Sequence, residues 1–364
     1  MQTFLGAFSY FMIMPNPMKG KLERKYLEKM RNYPDAVYNA HQDSPQEGFE
    51  FFFEGSAMDG DEEPSLLDSI KVMRGSGSSL KGVFNKLRTI LRFKKDMFNG
   101  RDACFSDLEP YIKEIEEKNR IENSEEKLQS YPNIELWNEL NHYISNKWND
   151  VLIGFTELPS QFIFKNKMVL FKYALVVVQE MKKDMIDDAP GVLAGRETMR
   201  VYASLGLVVN DLARWLREKG VKSQSNHPLG GLVNDPPLAG KAGLGWQGKQ
   251  GVLITREYGP RVRIAPIFIQ NKIFEYTDSV EHKWIEKYCK TCGLCEINCP
   301  VQAIYPQRKI SISNIPGFGD TRTCIDRAKC LPYFNETVGC SVCLKVCPFS
   351  NGQKTYDKLK KLIN

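Results

Sequence analysis

Nine of the ten cysteines in this 364-residue chain lie between Cys289 and Cys347, and their spacing constrains the fold more than any other feature. Residues 289–300 read C-x-x-C-x-x-C-x-x-x-C-P, and residues 340–348 read C-x-x-C-x-x-x-C-P. Runs of this kind hold [4Fe-4S] clusters, and the cysteine before each proline serves the other cluster of the pair. The sequence therefore predicts a ferredoxin-like domain with two clusters.

The predicted ligands divide into two sets of four. The first cluster is predicted to have four cysteine ligands, the first three of the first run and the last of the second run: Cys289, Cys292, Cys295 and Cys347. The remaining run members and one upstream thiol hold the second cluster: Cys299, Cys330, Cys340 and Cys343. Cys330 is preferred to Cys324 because it lies nearer to Cys340 in sequence. A structural zinc site or disulfides are the alternatives, since C-x-x-C pairs serve both, but two interlocked C-P runs favour clusters.

The composition is that of an ordinary globular protein, with 42% hydrophobic and 11% aromatic residues. The net charge of +6, from 50 basic and 44 acidic residues, does not indicate nucleic acid as a partner. Residues 1–14 are apolar but lack the basic residues of a secretory signal, and the most apolar segment, residues 168–178, is interrupted by Lys172. We therefore expect a cytoplasmic protein without a transmembrane segment.

Residues 1–150 are predicted to form a mostly helical N-terminal region of unknown role. Between Lys71 and Arg101, nine basic residues accompany the single acidic residue Asp96, with apolar residues at helical spacing. A helix that binds a membrane surface or a partner is one interpretation, and an amphipathic helix packed on the body is the preferred one. The following stretch, residues 107–129, is acidic and helical, and it would offset this basic charge.

Residues 151–275 have the pattern of a core that mixes strands with a long helix. Strands are predicted at residues 151–155, 161–164, 173–178, 252–255 and 263–269. A helix is predicted over residues 195–219, with apolar positions at helical spacing and Gly220 as its end. This order predicts an α/β or α+β core with a ligand crevice.

A glycine-rich stretch, residues 237–251, separates the helix from the last two predicted strands. Five of its fifteen residues are glycine, which contributes no side-chain volume, so backbone is expected to pass close to another group. The letters G-x-G-x-x-G occur at Gly243–Gly248, but no strand leads directly into them and no acidic residue follows as a dinucleotide site requires. A flat, bulky cofactor lying on this backbone is the preferred interpretation.

Several stretches resemble the reductive dehalogenases. They are residues 154–159, 172–181, 242–245, 251–263 and 329–349, so the resemblance covers about residues 151–350. The related epoxyqueuosine reductases of transfer-RNA modification share this construction, and Gly245–Lys249 is closer to them. Residues 258–263 and 329–349, together with the early stop after the clusters, favour the dehalogenases, and the acidic Val-Asp-x-Gly-Pro stretch of the epoxyqueuosine enzymes is missing.

The resemblance implies an α+β (α/β-like) fold in two parts. Residues 151–275 would form a nitroreductase-like, corrinoid-binding core, and residues 276–364 a ferredoxin-like domain with two [4Fe-4S] clusters. The corrinoid would be a cobalamin without a protein imidazole ligand, in agreement with only four histidines and no D-x-H-x-x-G motif. The implied cofactor-binding residues are Gly243, Leu244, Gly245, Trp246, Gly248, Lys249, Gly251, Thr255, Tyr258 and Gly259.

The reductive removal of a leaving group takes two electrons and a proton, which needs a positioned donor. By resemblance that donor is Tyr202. A phenol has a pKa of ~10, so a cation must stabilise the phenolate, and Arg263 would supply it, with Arg261 or Lys249 as substitutes. The structural alternatives are a core-packed tyrosine and a surface salt bridge.

The substrate would be oriented from the turn after the long helix, by Asn226 or His227. The function implied is a cytoplasmic, corrinoid-dependent oxidoreductase that reduces a halogenated or otherwise activated small organic molecule, supplied by a low-potential donor such as ferredoxin or flavodoxin. One alternative is an epoxyqueuosine reductase-like enzyme acting on tRNA, in which residues 71–101 would contact phosphates. The other is an iron-sulfur electron carrier or activator of a separate corrinoid protein.

Overall fold

The computed structural model describes residues 37–38, 132–163, 168–228, 232–306, 314–315, 319–320, 325–337 and 339–363. The predicted basic segment 71–101 and acidic segment 107–129, and the alternative ligand Cys324, lie outside these residues. Helices are α1 (Ile134–Lys147), α2 (Lys183–Ile186), α3 (Val192–Glu218), α4 (Asp235–Lys241), α5 (Trp284–Cys292), α6 (Leu294–Ile297), α7 (Arg327–Glu336), α8 (Val342–Lys345) and α9 (Gln353–Ile363). Strands are β1 (Val37–Tyr38), β2 (Val151–Glu157), β3 (Met168–Val169), β4 (Tyr173–Glu180), β5 (Ser223–Ser225), β6 (Trp246–Gln247), β7 (Leu253–Ile254), β8 (Val262–Ile269), β9 (Asn314–Ile315) and β10 (Gly319–Asp320).

The central sheet has four strands in the order β2-β4-β8-β5, and every pairing in it is antiparallel. The predicted strands at β2, β4 and β8 are confirmed, as is the long helix α3, which Gly220 follows at φ +78°. The mixture of helices with an antiparallel sheet makes the fold α+β. No helix within the described residues has both the length and the hydropathy to cross a bilayer.

Two predicted strands are corrected. The described part of the strand predicted at residues 161–164 is not a strand: Ser160–Phe162 is a 3-10 helix, and Ile163 makes only an isolated bridge to Val233. Residues 252–255 contain only the two-residue β7, which pairs with β6 outside the central sheet. The unpredicted strand β5 is polar, so it has no hydrophobic signal. Side-chain bonds hold it instead, since Ser223 Oγ donates to the Ala213 carbonyl at 2.9 Å.

Each face of the central sheet has its own core. The α3 face packs α1 and α3 against alternate strand residues, and its buried side chains include Leu140, Leu205, Val208, Leu212, Phe155, Leu175, Val177, Ala265 and Ile267. The α4 face packs α4 and neighbouring loops against the other strand residues, among them Leu238, Ala239, Ala174, Val176, Val178, Ile264 and Phe268. Each fully buried aliphatic side chain contributes about 1.5–3 kcal/mol. Because α1 lies on the α3 face, residues before Val151 contribute to this core.

The C-terminal part, from α5 onward, packs on the glycine-rich loop. Its core combines Trp246 and Ile254 of that loop with Ile285, Phe349 and Tyr356. The Tyr356 hydroxyl also bonds the ring of His282 at 2.6 Å and accepts from Trp284 Nε1 at 3.1 Å. Aromatic packing therefore fixes α9 and α5 against Trp246 and Ile254 of the β6–β7 hairpin.

Candidate functional site

The described cysteines are free thiols that fall into two neighbouring groups. In the first group, burial raises the pKa of Cys347 well above its usual value, and nearby Cys289, Cys295 and Cys292 raise it further. Burial also raises the pKa of Cys295, followed by the effect of Cys292. Cys289, Cys292, Cys295 and Cys347 thus surround one another.

The second group is centred on Cys343. Burial raises the pKa of this thiol far above its usual range, and Cys340, Cys330, Cys295 and Cys299 add to the effect. Burial likewise raises the pKa of Cys330 to about 11, with contributions from Cys340 and Cys299. Cys343 is therefore close both to its own group and to Cys295, so the two groups adjoin.

The backbone around the thiols takes conformations that suit ligation. Gly293, in the left-handed region at φ +64°, ends α5 and begins α6, so the chain reverses between Cys292 and Cys295. Cys340 and Ser341 also have positive φ, 23° and 62°. Such conformations cost a non-glycine residue about 1–2 kcal/mol, so the surrounding structure must hold them in place.

Backbone amides are directed at several of these sulfurs. The Ala303 N–H donates to Cys299 Sγ at 3.3 Å, and backbone bonds lower the thiol pKa of Cys347 and Cys340 against the larger opposing effect of burial. Within the described residues, no three His, Cys, Asp or Glu side chains are arranged around a single metal ion. Thiolates in such a buried place need positive charge beside them, and a cluster of iron ions would provide it.

A polar cluster lies where the α3 face of the sheet ends. The Arg263 guanidinium stands over the Tyr202 ring, with its carbon 4.8 Å from the ring centroid. Arg263 is directly opposite Gln179 in the β4–β8 register, so both side chains are on the α3 face. Gln179 Nε2 donates to Ser204 Oγ at 3.0 Å and to Asp150 Oδ2 at 3.2 Å. The structure thus brings the predicted donor and its predicted cation together.

Asn226 and His227 follow β5, and His227 lies against the middle of α3. The Asn226 N–H donates to the Pro266 carbonyl at 3.1 Å, and its side chain is buried. The His227 ring lies against Gly206, where an added Cβ would stand 2.3 Å from His227 Nε2. Gly206 follows Tyr202 by one helical turn, so His227 lies against the stripe of α3 that carries Tyr202.

Three buried polar atoms of this cluster have no hydrogen-bond partner in the part of the chain that the structure describes. They are Arg263 Nε, Gln179 Oε1 and Asn226 Nδ2. Buried polar atoms are normally paired, because an unpaired one costs roughly 1–3 kcal/mol. The cluster therefore fits a bound group that offers both donors and acceptors. Sequence reasoning missed Gln179, whose signal is a polar residue at the end of an apolar strand.

The two predicted substitutes for Arg263 are engaged elsewhere. Arg261 is buried and donates to Glu180 Oε1 at 2.6 Å, to the Met181 carbonyl at 2.7 Å and to the Ser350 carbonyl at 2.9 Å. Lys249 pairs with Glu296, next to Cys295. Arg261 therefore ties the sheet to the C-terminal part, and Lys249 places a positive charge near the first thiol group.

The glycine-rich loop does not form an open cradle at its most constrained positions. Gly243, Gly245 and Gly259 have positive φ, and a Cβ on each would lie 2.2 Å from a carbonyl oxygen of the chain itself. Those oxygens belong to Thr277, Ile254 and Phe349. The predicted close approach of backbone is real, but the group approached is the protein's own backbone. The fold itself explains these three close approaches, and the role of these glycines in binding a cofactor stays a prediction.

Other predicted cofactor-binding residues are also packed within the protein. Trp246 is buried against Phe349, and Gly248 faces Gln250 and Ile254 side chains. Thr255 Oγ1 accepts the Tyr258 N–H at 3.1 Å and donates to the Gly259 carbonyl at 3.2 Å, which closes a turn. Gly251 has φ +84° at the end of the loop.

A cleft of about 590 Å³ contains three of the predicted cofactor-binding residues: Gly243, Leu244 and Tyr258. Leu244 and Tyr258 pack on the α4-face core, whereas Tyr202 and Arg263 are on the α3 face. Burial raises the pKa of Tyr258 to about 12, with Glu180 and Asp150 adding to the effect. The cleft also contains Ile144, Val151 and Ile153 of the α3-face core, so it lies at the β2 edge and reaches both faces of the sheet.

Comparison with known proteins agrees with the thiol groups. Residues 282–305 match the 4Fe-4S binding domain. Over 177 residues, 47% of this chain and 34% of the relative, the sequence is 30% identical to a tetrachloroethene reductive dehalogenase of Sulfurospirillum multivorans. Over 130 residues, 33% of each protein, it is 32% identical to an epoxyqueuosine reductase of Francisella cf. novicida (strain Fx1). The matches span about a third of the length of each relative.

The fold is also similar to that of a solved reductive dehalogenase. The TM-score is 0.53 at 19% sequence identity, over 66% of this chain and 36% of the other. Similarity at this identity concerns the fold alone. The chain is therefore similar in sequence to reductive dehalogenases and to epoxyqueuosine reductases over about a third of their length, and it contains a 4Fe-4S binding domain.

Proposed function

We propose that the protein is an iron-sulfur oxidoreductase that reductively removes a leaving group from a small activated organic molecule at the Tyr202–Arg263 pair. The observation that carries this proposal is the stacking of Arg263 on Tyr202 beside three unpaired buried polar atoms. A core tyrosine or a surface salt bridge would not leave such atoms unpaired. The relatives are oxidoreductases by name, and the 4Fe-4S match supports the electron-transfer part.

The proposed electron path runs through both thiol groups to α3. The adjoining Cys295 and Cys343 would connect the clusters, each held by four cysteines as the sequence predicts. Cys343 also packs in one apolar core with Val201, the residue before Tyr202. An electron that reaches the second cluster is thereby brought to the helix that carries the proton donor.

Tyr202 would donate the proton that the departing group or the reduced carbon requires. Loss of that proton would leave a phenolate, and the guanidinium of Arg263 lies over the ring as a neighbouring positive charge. Gln179 and Ser204 fix the neighbouring strand and helix through their hydrogen bond. Asn226, with a free donor, would orient the substrate or a bound cofactor.

The corrinoid implied by the resemblance would find polar partners at the polar cluster. Arg263, Gln179 and Asn226 would hold it through their unpaired atoms, which suit the amide groups at the edge of a corrin ring. When bound, it would supply cobalt in a strongly reducing state, the chemistry that iron-sulfur clusters alone lack. Tyr202 and Arg263 would keep their proton-donating and charge-stabilising roles beside it.

An anaerobic metal and corrinoid analysis tests this function. Purified, reconstituted protein should bind about eight irons and up to one cobalt per chain, as two cubane clusters and one cobalamin require. Added cobalamin should change the absorption spectrum, and the loaded protein should release chloride from tetrachloroethene with reduced methyl viologen. Iron without any corrinoid binding would leave an electron carrier, the third candidate, as the function.

The second candidate is an epoxyqueuosine reductase-like activity on tRNA in the same cytoplasmic setting, supported by the 32% identity to such an enzyme. Its discriminating property is RNA binding that weakens steeply with salt, because each phosphate contact releases a counterion. A tRNA stem-loop that binds tightly at low salt and is reduced at the modified base would replace the small-molecule proposal.

A further inference from the structure

The outer surface of the C-terminal part carries two rows of exposed lysines beside the first thiol group. One row lies on α5 and just before it, and the other on α9: Lys283, Lys287 and Lys290, and Lys354, Lys358 and Lys361. Within each row the spacing is i, i+4, i+7, which places the three side chains on one helical stripe. Lys287 Nζ donates to the Ile363 carbonyl at 3.4 Å, so the two helices meet at this surface.

The acidic residues of the same elements do not cancel this charge. Glu296 pairs with Lys249 and Asp357 with Arg256, both outside the rows, and Glu286 pairs with Lys290 at 3.3 Å. Glu281 lies 3.2 Å from His282. Four of the six row lysines, all but Lys290 and Lys287, have no bonding partner among the described residues. The surface is therefore positive.

Two exposed apolar residues stand at the end of the α5 row, next to the ligand cysteines. Ile297 is 77% exposed and Leu294 is 39% exposed, while the neighbouring Cys292 and Cys299 are partly accessible. Small apolar contacts within a ring of charge are suited to brief electron-transfer encounters, whose interfaces are under about 1,200 Å². Long-range attraction then speeds the encounter without making it tight.

We propose that this lysine surface is the docking site for an acidic, low-potential electron-carrier protein that reduces the first cluster. The positive charge of the lysine surface complements the negative charge of an acidic carrier. Ile297 and Leu294 also lie next to the cysteines of the first run. The inference rests on the proposed function, since it requires the thiols to hold clusters. It adds the entry point of the electrons and the chemical nature of the donor.

The test is the anaerobic rate of cluster reduction, measured by stopped-flow absorbance in the full, reconstituted chain. The probe is a purified, reduced, acidic [2Fe-2S] ferredoxin, and dithionite serves as the small reductant. The variant Lys283→Gln/Lys287→Gln/Lys290→Gln removes one row. The control Lys147→Gln/Lys172→Gln/Lys219→Gln removes the same charge from exposed lysines around the sheet.

The row variant should be reduced by ferredoxin about tenfold more slowly at low ionic strength, with a weaker dependence on salt, because steering contributes roughly 10- to 1,000-fold to such rates. The control should stay within about twofold, and dithionite should reduce all three proteins alike. Unchanged ferredoxin rates, or an equal loss in the control, would overturn the docking site. So would a row variant that keeps its ferredoxin rate but loses binding of a tRNA stem-loop. Absence of dithionite-reducible clusters in the unsubstituted chain would instead end the proposed function itself.

Discussion

At the scale of single residues, the proposed chemistry rests on the pairing of Tyr202 with Arg263. A tyrosine alone is a poor proton donor at neutral pH, since its pKa is ~10. The Arg263 guanidinium, 4.8 Å from the ring centroid, is the positive charge that lies over the Tyr202 ring. Arg263 Nε has no hydrogen-bond partner among the described residues, so one donor of this guanidinium is left for another group.

Replacing Tyr202 with phenylalanine should lower kcat for reductive chloride release about 100-fold or more, the usual contribution of a positioned proton donor. Iron content and corrinoid spectrum should stay unchanged, because the ring and its packing remain. Tyr143→Phe is the matched control, since it removes a hydroxyl that donates to Asp211 at 2.8 Å, away from the cluster. Turnover by the Tyr202 variant equal to that of the control would remove Tyr202 from the donor role.

At the scale of secondary-structure elements, the joint between the sheet and the C-terminal part is a backbone contact. The turn at Thr255–Gly259 lies so close to the 3-10 helix Pro348–Asn351 that no side chain fits at Gly259. The left-handed φ of +58° adds a second reason for glycine there. The helix begins directly after Cys347, so this joint positions a predicted ligand of the first cluster.

Gly259→Ala should therefore lower the thermal midpoint of the reconstituted protein and its iron content. The left-handed conformation alone costs about 1–2 kcal/mol for alanine, and displacement of the Phe349 carbonyl adds to it. Gly240→Ala is the control, because its Cβ would meet nothing closer than 3.7 Å in helix α4. That change should be neutral or slightly stabilising. Circular dichroism measures the thermal midpoints of the two variants, and iron analysis measures their iron content. Equal midpoints would show that the backbone contact at Gly259 does not hold the sheet to the C-terminal part.

At the scale of the whole molecule, two arginines tie the sheet to the cluster-bearing part in different ways. Arg261 is buried and bridges β4 to the Ser350 carbonyl, whereas the Arg256–Asp357 pair leaves 43% and 41% of its side chains exposed. A buried charge that loses its partners is costly, but an exposed ion pair contributes little. The buried bonds of Arg261 should therefore keep the sheet and the C-terminal part in a fixed relative position, as electron transfer requires.

Arg261→Gln should destabilise this junction by about 2–3 kcal/mol, below the range for a fully buried pair because Glu180 keeps 26% of its side chain exposed. Iron should then be lost several-fold faster to a chelator under anaerobic conditions. Arg256→Gln should lose iron at nearly the normal rate. Equal rates of loss in the two variants would show that burial of Arg261 does not hold the junction.

The sequence alone determined the thiol spacing, the three long strands, helix α3 and the similarity to reductive dehalogenases and epoxyqueuosine reductases. These features depend on local periodicity and on short motifs, which are legible without knowing what lies nearby. The sequence also predicted the pairing of Tyr202 with Arg263, but from a resemblance to a known family and not from a local pattern. The short polar strand β5 and the false strand at residues 161–164 could not be read, because side-chain contacts across the fold decide them.

Only the tertiary structure decided what the glycine-rich loop approaches and which face of the sheet each predicted residue occupies. Glycine spacing shows that close contact is needed, but not with what, and here the contacts are carbonyls of Thr277, Ile254 and Phe349. Likewise, strand register turns Arg263 towards α3, while Tyr258 packs on the opposite core. Packing partners distant in the chain determine both results, and spacing along the sequence does not contain them.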